Sequence, residues 1–321
     1  MTTDIDHILD RRGLRKKLSL WRVLAILALI AAFVAVLAAA GAFKALNVGE
    51  NHIARVTVDG VITEDHKLLA MLRKIKTDDS VKGVILRIDS AGGTTVGGEA
   101  LFHAIREIAE EKPVAASIGT LAASAGYMIA TASDHIVARH TSIIGSIGVL
   151  IQYPEASGLL NKVGVAVNEV KSSPLKAEPS PFHKAPPESV AMLKRLVDDS
   201  YQWFVSLVTD RRPLTRSQVL EVADGSVFSG NQSKKLGLID AIGGEQVAKD
   251  WLVKEKKLSE DLKITDWKKQ NRSSPFPFSS AIYRWLTGNA ASPLEGIGPD
   301  DLPGIIPRRL FLDGMLSVWH G

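Results

Sequence analysis

The chain of 321 residues has no cysteine. Disulfides, thiolate metal sites and a cysteine nucleophile are therefore excluded together. It also lacks a strong charge bias. Thirty-nine basic against 35 acidic residues leave a net charge of +4, too small an excess to argue for nucleic acid. No histidine pair has the HExxH spacing of a zinc protease, and Gly92-Gly93 with Gly97-Gly98 has neither the spacing nor the lysine of a phosphate loop. No metal or cofactor is expected. The remaining composition, 45% hydrophobic and 23% charged, is ordinary for a globular chain.

One long stretch has no charge and no proline, Val23 through Phe43. It is long enough to cross a hydrocarbon core about 30 Å thick. Arg11, Arg12, Arg15, Lys16, Lys17 and Arg22 precede it, and only Lys44 and Arg55 follow closely. The positive-inside bias predicts a cytoplasmic N-terminal segment (1–22), a transmembrane anchor (23–43) and the rest on the far side. The competing reading is a cleaved signal peptide, with Ala40-Gly41-Ala42 as its cleavage site. The apolar run exceeds the roughly 7–15 residues usual for such a segment, which favours an uncleaved anchor.

Beyond the anchor the pattern alternates. Strands are predicted at 53–61, 81–88, 114–118, 135–138 and 143–149, with helices at 67–76 and 98–112, which is α/β patterning. A long amphipathic helix is predicted at 189–209, with shorter ones at 215–223, 232–236 and 246–256. Arg211-Arg212 is expected to end the long helix and meet its dipole.

Two features follow strands within this layer. Ser124 stands among Ala122, Ala123, Ala125 and Gly126 at an expected helix start. A hydroxyl flanked by residues so small is open to another chain, and a helix start offers backbone N–H groups, as a nucleophilic serine and its oxyanion require. The alternative is packing and capping chemistry. Gly92-Gly93 reads either as a tight turn or as a place where a substrate carbonyl reaches a backbone N–H. Asp134-His135 suggests a Ser/His/Asp triad, but adjacent residues on an extended segment point to opposite faces.

The ordered segments DSAGG (Asp89 to Gly93), LAASAGYMIATASDHIVA (Leu121 to Ala138), IIGSIGV (Ile143 to Val149), VKSSPLK, DDSYQWFVSLVTDRR and ADGSVFSGNQSKKLGLIDAIGG resemble the signal peptide peptidase A family. The resemblance spans about residues 52–252. It implies a protease domain with a Clp protease/crotonase-like α/β fold and a Ser/Lys dyad. Ser124 would be the nucleophile and Lys176 the general base, with Lys171 as the second candidate. Ser146 would orient the lysine, and the N–H groups of Gly93 and Ala125 would hold the oxyanion. The chain departs from the family in having Ala125 and Ala91 where glycine and proline are usual.

A lysine serves as a base only when burial away from carboxylates disfavours its charged form, and Glu178 lies two residues from Lys176. The resemblance further implies a single-pass protein of the bacterial inner membrane with a periplasmic catalytic domain. It implies apolar peptide substrates such as signal-peptide remnants, and a homo-oligomer. A membrane-protein-processing peptidase and an inactive membrane scaffold of the same fold are the alternatives. The tail, 268–321, combines prolines with apolar residues. It is expected to dock on a second subunit, lie on the membrane or enter the substrate groove.

Overall fold

The computed structural model describes residues 21–22, 24–33, 50–268 and 316–318. Residues 24–33 are helical and exposed, and they belong to a unit separate from the body of the chain. The rest of the expected anchor lies outside the described residues. Among the described residues no helix is long and apolar enough to cross a membrane.

The body is built on one sheet, mostly parallel. Its strands are β1 (His52–Ile62), β2 (Val81–Thr94), β3 (Val114–Ala123), β4 (His135–Ala138), β5 (Ile143–Gly145), β6 (Val227–Ser229), β7 (Ala241–Ile242), β8 (Lys263–Trp267) and β9 (Leu316–Val318). The main path runs β6-β5-β3-β2-β1-β8. β3 pairs with β4 along Ala115–Ile118 and with β5 along Leu121–Ala123, so it serves two neighbours in succession. Among the described strands only β5 with β6 and β2 with β9 run antiparallel. β8 lies beyond residue 252 and pairs with β1, so the sheet includes 263–267.

The helices are α1 (His66–Thr77), α2 (Thr95–Ala109), α3 (Ala125–Thr131), α4 (Ser157–Lys162), α5 (Pro187–Arg211), α6 (Arg216–Val222), α7 (Gly230–Lys235) and α8 (Glu245–Lys254). Asp65 caps α1 by accepting from the N–H groups of Lys67 and Leu68, and Leu68, Leu69, Leu72 and Ile75 turn inward at helical spacing. Thr94 caps α2 through the Gly97 N–H. Reciprocal capping boxes start α6 (Thr215 with Gln218) and α7 (Ser229 with Gln232). These side-chain caps tie each helix start to the loop before it.

Two differences from the sequence reading bear on the site. β2 does not stop at Ile88 but continues through Gly92-Gly93 to Thr94. β3 likewise runs past Ile118 to Ala123, because Leu121–Ala123 find partners in β5. The second difference is α5. Of its expected apolar stripe only Phe204 and Val205 are buried, joined there by Leu207 and Val208, while Val190 and Leu196 face solvent.

Candidate active site

Ser124 stands between β3 and α3 with φ 55° and ψ −119°, a left-handed conformation that a residue with a Cβ seldom adopts. Main-chain bonds hold this turn. The Ser124 N–H donates to the Gly145 carbonyl at 2.8 Å, and the Ser124 carbonyl accepts from Met128 N–H at 2.9 Å. Every residue of α3 is buried. Its far end is gripped by two arginines: Arg106 donates to the Ala132 carbonyl, and Arg211 to the carbonyls of Thr131 and Ser133. Arg211 closes α5 with Arg212 as its C-cap, as the sequence reading expected, while their guanidinium groups reach further, Arg211 to the end of the serine helix and Arg212 to Asp240 and the Gly237 carbonyl. Tyr127 donates its hydroxyl proton to the Leu238 carbonyl, and burial pushes that phenol well above its ordinary range. A strained serine on a helix fixed from three sides fits the pattern of strain held at functional sites by surroundings that over-determine it.

Ser146 comes into register beside it. It follows Gly145, the acceptor for Ser124, and has φ 50°. Its own N–H donates to the Ser226 carbonyl at 2.7 Å, just before β6. Its side chain is buried and hydrogen-bonds to no described residue.

Gly93 lies on the neighbouring strand, paired with Ile62 of β1. The two glycines there are required for different reasons. Gly92 has φ 118°, which excludes side chains. A Cβ on Gly93 would lie 1.8 Å from the Ile62 carbonyl oxygen. The missing side chain at Gly93 therefore makes room for β1. β9 pairs antiparallel on β2 over this stretch, Gly93 opposite Ser317. Residues 316–318 of the tail thus pair with the strand that carries Gly93.

Four of the five predicted residues, Ser124, Ala125, Ser146 and Gly93, thus lie on the adjoining ends of β2, β3 and β5. Lys176 does not join them. It is exposed in a loop whose residues 163–170 and 172–177 all face solvent, and its side chain makes no hydrogen bond or ion pair with a described residue. Lys171 is engaged: it bonds Glu178 and lies 2.5 Å from Glu169. These hydrogen bonds raise its proton affinity above the ordinary lysine value. The carboxylate of Glu178, which would have opposed a neutral Lys176, is held instead by Lys171, His183 and the Ser180 N–H. Glu169, Glu178 and His183 have the spacing of a cation site, but the Lys171 ammonium already serves as its cation.

The triad reading fails on partners. Asp134 binds Arg106 and the Val114 N–H, while His135 stacks on Trp251 near Asp240. Sequence reasoning missed Gly145 and Ser226, whose contributions are carbonyl oxygens and leave no side-chain signal beyond the glycine before Ser146.

The family model for peptidase family S49 matches residues 106–259. A Synechocystis protein named as a protease is 39% identical over 201 residues, covering 62% of this chain and 72% of the relative. An Enterococcus faecium protein named as a signal peptide peptidase, SppA, is 35% identical over 259 residues, 76% of this chain and 73% of the relative. A Methanocaldococcus jannaschii protein named as a protease is 36% identical over 194 residues, 59% of this chain and 62% of the relative. The chain thus belongs to peptidase family S49, the serine peptidases of the signal peptide peptidase A type.

Proposed function

We propose that the chain is a membrane-anchored endopeptidase that cuts extended apolar peptides, such as signal-peptide remnants, with a Ser124/Lys176 dyad. The observation that carries this reading is Ser124 itself, a buried serine at positive φ on the strand–helix turn beside Ser146 and the Gly92-Gly93 turn. In the reaction the Lys176 amine takes the Ser124 proton as Oγ adds to the substrate carbonyl. The N–H groups of Gly93 and Ala125 receive the developing oxyanion. Lys176 returns the proton to the leaving amine, and water then enters by the same route to release the acyl group. Ser146, whose hydroxyl has no described partner, orients the lysine.

The peptide adds as a strand along the edge of β2 where β9 lies, which suits a substrate recognised through its main chain. A second copy of the chain covers the lysine loop. Exposed Val163, Val165, Val167, Val170 and Leu175 support this, being more apolar surface than one segment ordinarily leaves open. Such packing shields Lys176 from solvent and from carboxylates, the setting a lysine base requires. The uncharged run 23–43 anchors the chain, with the catalytic body on the periplasmic side of the bacterial inner membrane.

Labelling with a fluorophosphonate tests the reading. Wild-type protein labels and cleaves a fluorogenic apolar peptide, and Ser124→Ala does neither. A folded wild-type protein that fails to label would point to an inactive scaffold.

A further inference from the structure

Ser90 is buried in the strand that carries Gly93, and the dyad mechanism gives it no task. Its hydroxyl bridges two main chains. It accepts from the Gly92 N–H at 3.1 Å and lies 2.5 Å from the Gly60 carbonyl, against 3.3 Å from that of Gly92. Its single proton goes to the nearer acceptor, Gly60.

The location gives this bridge its importance. Ser90 is the last residue of β2 that pairs with β3, opposite Ala122, and the register shifts just before it. From there β2 departs from β3, turns at Gly92 with positive φ and reaches Gly93. A strand leaving its neighbour loses the ladder that fixes the direction of its N–H groups, and a side-chain hydroxyl bonding two residues ahead replaces it. The main chain of Ser90 also meets the serine helix: a Cβ on Gly126 would lie 2.7 Å from the Ser90 carbonyl oxygen. One residue therefore touches β1 at Gly60, the turn before Gly93, and α3 two residues past Ser124.

The geometry points to Ser90 as a positioning residue that sets the Gly93 N–H against Ser124 by holding the Gly92 amide to β1. This rests on the reading of Ser124 as nucleophile and Gly93 as oxyanion donor. It specifies a transition-state role, since aim of the donor matters most when the carbonyl oxygen becomes an anion.

The test uses the full chain with a fluorogenic apolar peptide amide, the peptide aldehyde of the same sequence as transition-state analogue, and the unreactive peptide as ground-state ligand. Ser90→Ala is expected to lower kcat by about 10- to 100-fold, below or near the loss from deleting an oxyanion donor. KM stays within about twofold, aldehyde affinity falls by the same factor as kcat, and the unreactive peptide binds unchanged. Ser90→Cys, which keeps a weak donor and acceptor, recovers part of the loss. If Ser90→Ala does not fold, Ser90→Cys and Ser90→Thr are read by the same split. A wild-type kcat, or a loss confined to KM, in the folded variants overturns the proposal. Ser124→Ala run alongside separates the two levels. Turnover retained there defeats the dyad reading, whereas a dead Ser124→Ala with a fully active Ser90→Ala defeats the Ser90 proposal alone.

Discussion

The N–H of Ser124 donates to the carbonyl of Gly145 at 2.8 Å, so the serine turn and the segment bearing Ser146 share one main-chain bond. Gly145 has φ 111°, and a Cβ there would lie 2.9 Å from the Ser226 carbonyl oxygen. Gly145→Ala is expected to cost roughly 1–3 kcal/mol in stability through forced backbone strain. Peptide turnover should fall further than stability explains, because both serines move. Urea unfolding and kcat measured on one preparation check this, and an unchanged kcat would contradict it.

Gly93→Ala tests the contact between β1 and β2. A Cβ 1.8 Å from the Ile62 carbonyl oxygen cannot be accommodated by a rotamer change, so the strands must part. The expected result is a loss of about 1–3 kcal/mol, typical of overpacking, together with loss of fluorophosphonate labelling. Normal labelling at normal stability would remove Gly93 from the site.

The two lysines of the loop should separate cleanly. Lys171 is held protonated by Glu169 and Glu178 and is unsuited to act as a base at neutral pH. Lys171→Met is expected to keep turnover within about threefold, whereas Lys176→Ala loses about 10²- to 10⁴-fold, the range of a general base. Steady-state kinetics on the two variants decide the matter, and the reverse order would assign Lys171.

Stability should depend on pH through His135. Burial lowers its pKa below the ordinary 6.5, with Asp240 opposing and Arg212 reinforcing the shift. The unfolded chain then binds a proton more readily than the folded one. Stability is complete above the unfolded value and declines as pH falls from about 6.5 towards the lower folded value. His135→Phe retains the stack on Trp251 and should flatten the melting temperature in that window. A variant with the wild-type slope would show that another group is responsible.

Removing the tail should free the edge of β2. A chain ending at Lys268 lacks the strand that pairs with Gly92–Thr94. Its KM for an apolar peptide is expected to fall while kcat holds, and an unchanged KM would show that the tail does not compete with substrate.

Much of this was legible in the residues. Alternation and β-branched runs located β1, β4 and the start of β3, and helical spacing located α1 and α5. The extension of β2 through Gly92-Gly93 was not legible, since two glycines read as a break until the positive φ of Gly92 and the Ile62 carbonyl against Gly93 are known. The strand-to-helix turn at Ser124 was visible from its small neighbours. The disposition of Glu178 was not, because proximity in the chain suggested Lys176 and the fold gives it to Lys171. Ser90 was quoted only as part of a motif, since a serine that bonds main chain looks like any other serine until its two partners are in place.

The residues around Ser124, from Ala122 to Gly126, have almost no side chains, and the turn is held by carbonyls and amides. Such a centre offers selection little to vary: nearly any larger residue would collide, and a main-chain bond cannot be substituted away. On the reading proposed above, divergence in which peptides are cut arises at the periphery, along the edge of β2 and in the exposed loop around Lys176. Attempts to redirect the enzyme should begin there and leave the serine turn untouched.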